Sequence, residues 1–150
     1  MKILNLTILS WFGSGYAPKA PGTAGSLAAL PFAWGMASFW GPESLLLAGL
    51  IAFCVGWAAA HRSPEATKDP GWVVIDEVAG QWLTLAFVPP DILLYAIGFI
   101  AFRIFDIYKP WPIRTLEQNV PGALGVMVDD VAAAVYAAVV LYLLTLFLGG

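Results

Sequence analysis

Three runs of this chain, residues 24–40, 44–60 and 131–148, contain no charged side chain at all. Each is about as long as the shortest α-helix that crosses the hydrocarbon core of a bilayer, near 17 residues. Only 11% of the residues are charged, against roughly a quarter in an ordinary water-soluble domain. That is too little polarity to cover a water-facing surface, so lipid is the expected solvent for much of the molecule. Two further apolar stretches, 78–88 and 92–107, are separated by Pro89, Pro90 and Asp91. The 78–88 stretch falls short of a crossing unless its helix starts near Val73. Residues 3–12 follow a single lysine and imitate a signal peptide, but more apolar segments come after them instead of a soluble mature chain. They read as a retained interfacial or re-entrant helix. The expected fold is therefore all-α, a polytopic membrane bundle of about four to five hydrophobic helices plus this N-terminal segment, in one domain over residues 1–150.

Proline and glycine divide the segments. Gly41-Pro42 and Pro89-Pro90 stop helices, because proline lacks an amide hydrogen and disfavours a helical residue before it. The hairpins they form carry Glu43 and Asp91 but no lysine or arginine. Lys2, Lys19, Arg62, Lys68, Lys109 and Arg114 all fall in the opposite set of connections. By the positive-inside rule that side is cytoplasmic. The longer polar loops lie there too, so any chemistry is expected to face the cytoplasm.

The acids gather on the same side. Asp76-Glu77 precedes the third span, Asp106 stands near the end of the fourth, and Asp129-Asp130 is read as opening the last. Helix capping accounts for one acid of each pair but not for its neighbour. Two adjacent pairs on separate helices suit a hard cation such as Mg2+, which takes carboxylate, water and phosphate oxygens. Arg103, Asp106 and Lys109 recur at intervals of three and are expected on one helix face, either as an ion-pair ladder or as a phosphate or carboxylate site. An ionisable residue inside a span is costly, which favours the functional reading of Arg103. The glycine-rich segment 13–26, GSGYAPKAPGTAGS, offers backbone amides, small hydroxyls and Lys19 at a helix start and could cradle phosphate. A helix-entry loop would look similar.

Elimination narrows the chemistry. Cys54 is the single cysteine and His61 the single histidine, which removes a cysteine phosphoenzyme and two-histidine phosphatase chemistry. No basic run supports a nucleic-acid partner. Metal-assisted attack on phosphorus remains. Two other classes compete. A small transporter or channel would need polar residues along a pathway, and the uncharged spans lack them. A membrane scaffold would leave the paired acids without a task.

The segments GSGYAPKAPGTAGS, VVIDEVAGQ, RIFDIYKPWPI and GALGVMVDDVAA, in this order, resemble the phosphatidylglycerophosphatase A family over about residues 13–140. The resemblance implies a magnesium-dependent phosphatase of the bacterial inner membrane that converts phosphatidylglycerophosphate to phosphatidylglycerol and inorganic phosphate. It further implies that Asp76, Glu77, Asp129 and Asp130 are metal-binding and catalytic acids, joined by Asp106. Arg103 and Lys109 would hold the phosphate, and Lys19, Thr23 and Ser26 would belong to the glycine-rich loop. The last motif departs from the family at Ala133-Ala134, where Ala-Gly is expected, an exchange that bears on helix packing. Metal count, the general base, water attack against an aspartyl-phosphate, and oligomeric state stay open.

Overall fold

The computed structural model describes residues 2–149, and among them it contains seven α-helices and no strand. These are α1 (Ile3–Leu9), α2 (Pro21–Trp40), α3 (Ser44–His61), α4 (Ile75–Leu85), α5 (Ile92–Tyr108), α6 (Ile113–Asn119) and α7 (Gly122–Leu148), with 3₁₀ turns at Ser14–Tyr16 and Ala66–Lys68. The all-α expectation holds, and both proline hairpins fall where the sequence puts them. Gly41 ends α2 at φ +88°, a conformation that strains any residue with a Cβ. Asp91 caps α5 by accepting a hydrogen bond from the Leu94 amide at 2.9 Å.

Two helices, α3 and α7, are long and apolar enough to cross a bilayer. Helix α4 is not. Its 11 residues rise only about 16 Å, roughly half a hydrocarbon core. It is instead the axis of the molecule, flanked by α2, α3, α5 and α7, with Ile75, Val78, Ala79, Trp82 and Leu85 all buried. Small residues let the other helices close on it: Ala29, Ala33 and Ala37 of α2, Ala52, Ala59 and Ala60 of α3, and Ala133, Ala134 and Ala137 of α7. At Gly80 the approach leaves no room for a side chain, since a Cβ there would stand 2.6 Å from the Phe102 ring and 3.1 Å from the Asp130 carbonyl oxygen. Leu46, Leu47, Leu50, Ile92, Leu93, Val139, Leu143 and Leu146 stay exposed around the outside.

The N-terminal segment turns back. Helix α1 is seven residues long, and left-handed backbone at Trp11, Phe12 and Gly13 reverses the chain behind it. The Leu9 carbonyl accepts the Val74 amide at 2.8 Å, and the Trp11 ring lies 5.3 Å from both Phe32 and Trp82. Lys2 shares a cavity with Arg62, so the segment leaves and regains the same end of the bundle.

Two expectations need correction. Helix α7 begins at Gly122, not near Val131, so Asp129 and Asp130 lie two turns inside a helix and cap nothing. The uncharged run 131–148 lies within it, but the small residues Gly122, Ala123 and Gly125 also suit a helix, and Pro121 is what starts it. Lys109 likewise leaves the helical face of Arg103 and Asp106. It adopts left-handed backbone at φ +47° immediately before Pro110, which cannot follow a helical residue comfortably.

Candidate active site

Five carboxylates converge where α4 begins and α5 ends. Asp76 and Glu77 occupy the first turn of α4, Asp106 the last turn of α5, and Asp129 and Asp130 the second and third turns of α7. The four aspartates are 2–8% exposed. One oxygen each from Asp76, Glu77 and Asp130 lies within 4.8 Å of the others, and the same holds for Asp106, Asp129 and Asp130. Asp130 belongs to both groups and stands at the centre. Helix packing explains the convergence: Gly80, one turn on from Asp76, lets the Asp130 backbone close against α4.

Two cations meet these five acids. The Arg103 guanidinium donates to the Asp106 carboxylate through Nη1 and lies 3.8 Å from Glu77 Oε1. Lys109 Nζ donates to Asp129 Oδ2 at 2.7 Å and to Glu117 Oε1 of α6 at 2.6 Å. Burial works against the Lys109 charge, but its bonds to Asp129 and Glu117 together outweigh that and hold the ammonium above the ordinary lysine range. Asp129 Oδ1 accepts the Asp130 amide at 3.1 Å. Asp76 Oδ1, Glu77 Oε2, Asp130 Oδ2 and Arg103 Nε are buried without any hydrogen-bond partner.

Buried anionic oxygens left unpaired are strongly destabilising, and a bound cation is the usual remedy. All-oxygen donors without histidine or cysteine fit a hard divalent ion. His61 and Cys54 are both exposed on α3 and belong to neither carboxylate group. A polar cavity of about 250 Å3, bounded by Lys68, Asp69, Glu117, Gly122 and Gly125, meets the cluster at Asp129.

The glycine-rich segment reaches the site at one point. A Cβ on Gly22, in the first turn of α2, would stand 3.1 Å from Arg103 Nη2 and 3.2 Å from Glu77 Cδ. Lys19 is exposed and forms no ion pair among the described residues. Thr23 is half-buried beside Gly22, and Ser26 is fully buried with its hydroxyl unpartnered. Three participants escaped the sequence reading. Gly22 was hidden among neighbouring glycines, and Glu117 lies on α6, a helix not foreseen. Gln81 had a signal, standing one turn beyond Glu77 on α4. It is wholly buried, and neither its amide nitrogen nor its oxygen has a partner.

An all-helical scaffold encloses a carboxylate cluster fringed by Arg103 and Lys109 and free of cysteine and histidine, and the relatives of the chain place it among the phosphatases. The chain belongs to the phosphatidylglycerophosphatase A family, whose model matches residues 7–145. It is 42% identical to phosphatidylglycerophosphatase A of Escherichia coli strain K12 over 134 residues, which cover 87% of this chain and 77% of that protein. It is 35% identical to phosphatidylglycerophosphatase A of Haemophilus influenzae, covering 87% and 82% of the two chains. A Bacteroides thetaiotaomicron protein named as a candidate phosphatidylinositol-3-phosphatase is 40% identical, with 92% and 91% covered. No solved structure matches the chain significantly.

Proposed function

We propose that this chain hydrolyses phosphatidylglycerophosphate to phosphatidylglycerol and inorganic phosphate, with Mg2+ as cofactor, at the cytoplasmic face of a bacterial inner membrane. The observation that carries the reading is the cluster centred on Asp130, whose buried oxygens are short of positive charge and of hydrogen bonds. Relatives in two bacteria bear the name of this activity at 35–42% identity.

Helices α2, α3, α5 and α7 are read as four crossings, with α4 and the reversing N-terminal segment entering from one side only. The exposed apolar side chains of α3, α5 and α7 support lipid contact. The acids share their end of the bundle with Arg62, Lys68, Lys109 and Arg114, the set that the positive-inside rule assigns to the cytoplasm. A transporter reading fares worse: beyond Gln81 and Thr84 the buried interior includes Leu85, Val88, Tyr95 and Leu141, where among the described residues the Tyr95 hydroxyl is an isolated polar group.

Asp76, Glu77, Asp129 and Asp130 would hold Mg2+, which when bound neutralises the substrate phosphate and polarises phosphorus. Arg103, with Nε unused, offers donors to the non-bridging phosphate oxygens, and Lys109 extends the same electropositive rim. A water oxygen attacks phosphorus and the P–O bond to the glycerol breaks. Whichever carboxylate oxygen of Asp76 or Glu77 the cation leaves unengaged takes the water's proton. The leaving alkoxide recovers that proton as phosphatidylglycerol departs.

The test is phosphate release by purified protein in mixed micelles, with Mg2+ and after chelation. Asp76→Asn and Asp129→Asn should each lose at least about 100-fold in turnover. Release that persists without a divalent ion, or undiminished in both variants, would refute the reading. A parallel assay with a phosphorylated inositol lipid separates the two headgroups named among the relatives.

A further inference from the structure

The bundle bears a second feature suited to phospholipid, separate from the acids. A groove of about 440 Å3 runs between the N-terminal segment, α3 and α4, walled by Leu4, Ile8, Trp11, Ile51, Val55 and Trp82. Its lining is almost entirely hydrocarbon. A cavity of about 680 Å3 shares the Leu4 wall and adds Lys2, Asn5 and Arg62. No carboxylate of the acid cluster lines either space. Lys2 and Arg62 are exposed, and neither has an acidic partner among the described residues.

We propose that this groove and its two cations bind an anionic diacyl phospholipid other than the molecule being hydrolysed. The trough takes hydrocarbon, and the cations at its open end take the headgroup phosphate. Charge complementarity decides the occupant. A zwitterionic headgroup carries its own cation, which Lys2 and Arg62 would repel, whereas phosphatidylglycerol presents a net negative charge. The site stands on the membrane placement argued above and not on the hydrolytic reaction.

The experiment uses nanodiscs with dibrominated acyl chains, which quench nearby indoles, and compares phosphatidylglycerol with phosphatidylcholine of the same chains. Trp11 and Trp82 are the reporters inside the groove. Phosphatidylglycerol should quench more at equal mole fraction, and that excess should shrink in Trp11→Phe, leaving only the share reported by Trp82. At about 1 kcal/mol per basic residue, roughly fivefold, Lys2→Gln/Arg62→Gln should weaken the anionic preference by at least about fivefold. Its phosphate release should stay at the parental rate. Equal quenching by the two lipids overturns the proposal, as does an excess that survives removal of both charges. Phosphate release that falls in step with lipid affinity also overturns it, by making the groove the substrate's own path. Quenching by neither lipid removes the proposal and the membrane placement together, while hydrolysis in micelles would still stand.

Discussion

Lys109 Nζ lies 2.7 Å from Asp129 Oδ2, and this contact ties the end of α5 to the interior of α7. A second bond, to Glu117, ties both to α6. Removing one partner of a charged hydrogen bond costs on the order of 1–3 kcal/mol, because the other is left without its bond. Lys109→Met should therefore melt several degrees below the parent in detergent, while Lys109→Arg stays close to it. The pH dependence follows from the raised lysine value. A group whose folded pKa exceeds its unfolded one stabilises fully below the unfolded value, about 10.4, and loses that contribution only as pH climbs through the higher folded value. The gap between parent and Lys109→Met should thus stay constant from pH 7 to 9. A gap that closes within that range would contradict it.

Gly22 gives the clearest link between the glycine-rich segment and the acids. Gly22→Ala replaces a residue of poor helix propensity in α2, a gain of up to about 1 kcal/mol. The new methyl would press on Glu77 and Arg103, both of which must shift. Misplacing reacting groups by about 1 Å costs on the order of 100-fold in rate. The expected variant is as stable as the parent and 10- to 100-fold slower, read from melting and phosphate release on the same preparation. Parental turnover would mean that Glu77 and Arg103 are not poised for chemistry.

Most of the helices were legible because uncharged apolar runs and proline breaks mark them in the sequence. What misled was the ambiguity of small residues. Gly122, Ala123 and Gly125 carry no apolar signal, so α7 seemed to begin at Val131, and Asp129-Asp130 passed for a helix end. Composition likewise could not separate a crossing from an enclosed core helix. Helix α4 is apolar because α2, α3, α5 and α7 cover it, not because lipid does. Asp76-Glu77 and Asp129-Asp130 stand out by their pairing, and Asp106 by its three-residue spacing from Arg103 and Lys109. Their partners were not, since Lys109 reaches Glu117 and Asp129 only by leaving helical geometry before Pro110.

Asp130 is the residue on which the cluster turns, being common to both carboxylate groups. Its Oδ2 is buried and unpaired, and its neighbours are themselves acidic. Neutralising it should relieve repulsion in the metal-free protein while removing a ligand. Asp130→Asn is expected to melt higher than the parent in chelator and to lose turnover by on the order of 1,000-fold. Mg2+ at about 100 times its dissociation constant stabilises a folded protein by roughly 2.7 kcal/mol. That increment should appear in the parent and shrink sharply in the variant. Equal stabilisation of both by Mg2+ would take Asp130 out of the metal site.

Gln81 is the last test of how stability and function are divided. Its amide is fully enclosed one turn beyond Glu77, with two unused polar atoms. An unsatisfied buried polar group costs about 1–3 kcal/mol, so an apolar side chain of the same length should fit there more comfortably. Gln81→Met is predicted to raise the melting temperature. Natural chains keep such a costly group where activity needs it, which predicts slower phosphate release from the more stable variant. Gln81→Glu, of nearly the same shape, should destabilise by adding another buried charge to an acidic neighbourhood. Melting and turnover of both variants separate the possibilities. If Gln81→Met is more stable and fully active, the amide has no part in catalysis. If it is less stable, the two polar atoms have partners in the working protein, a buried water being the simplest.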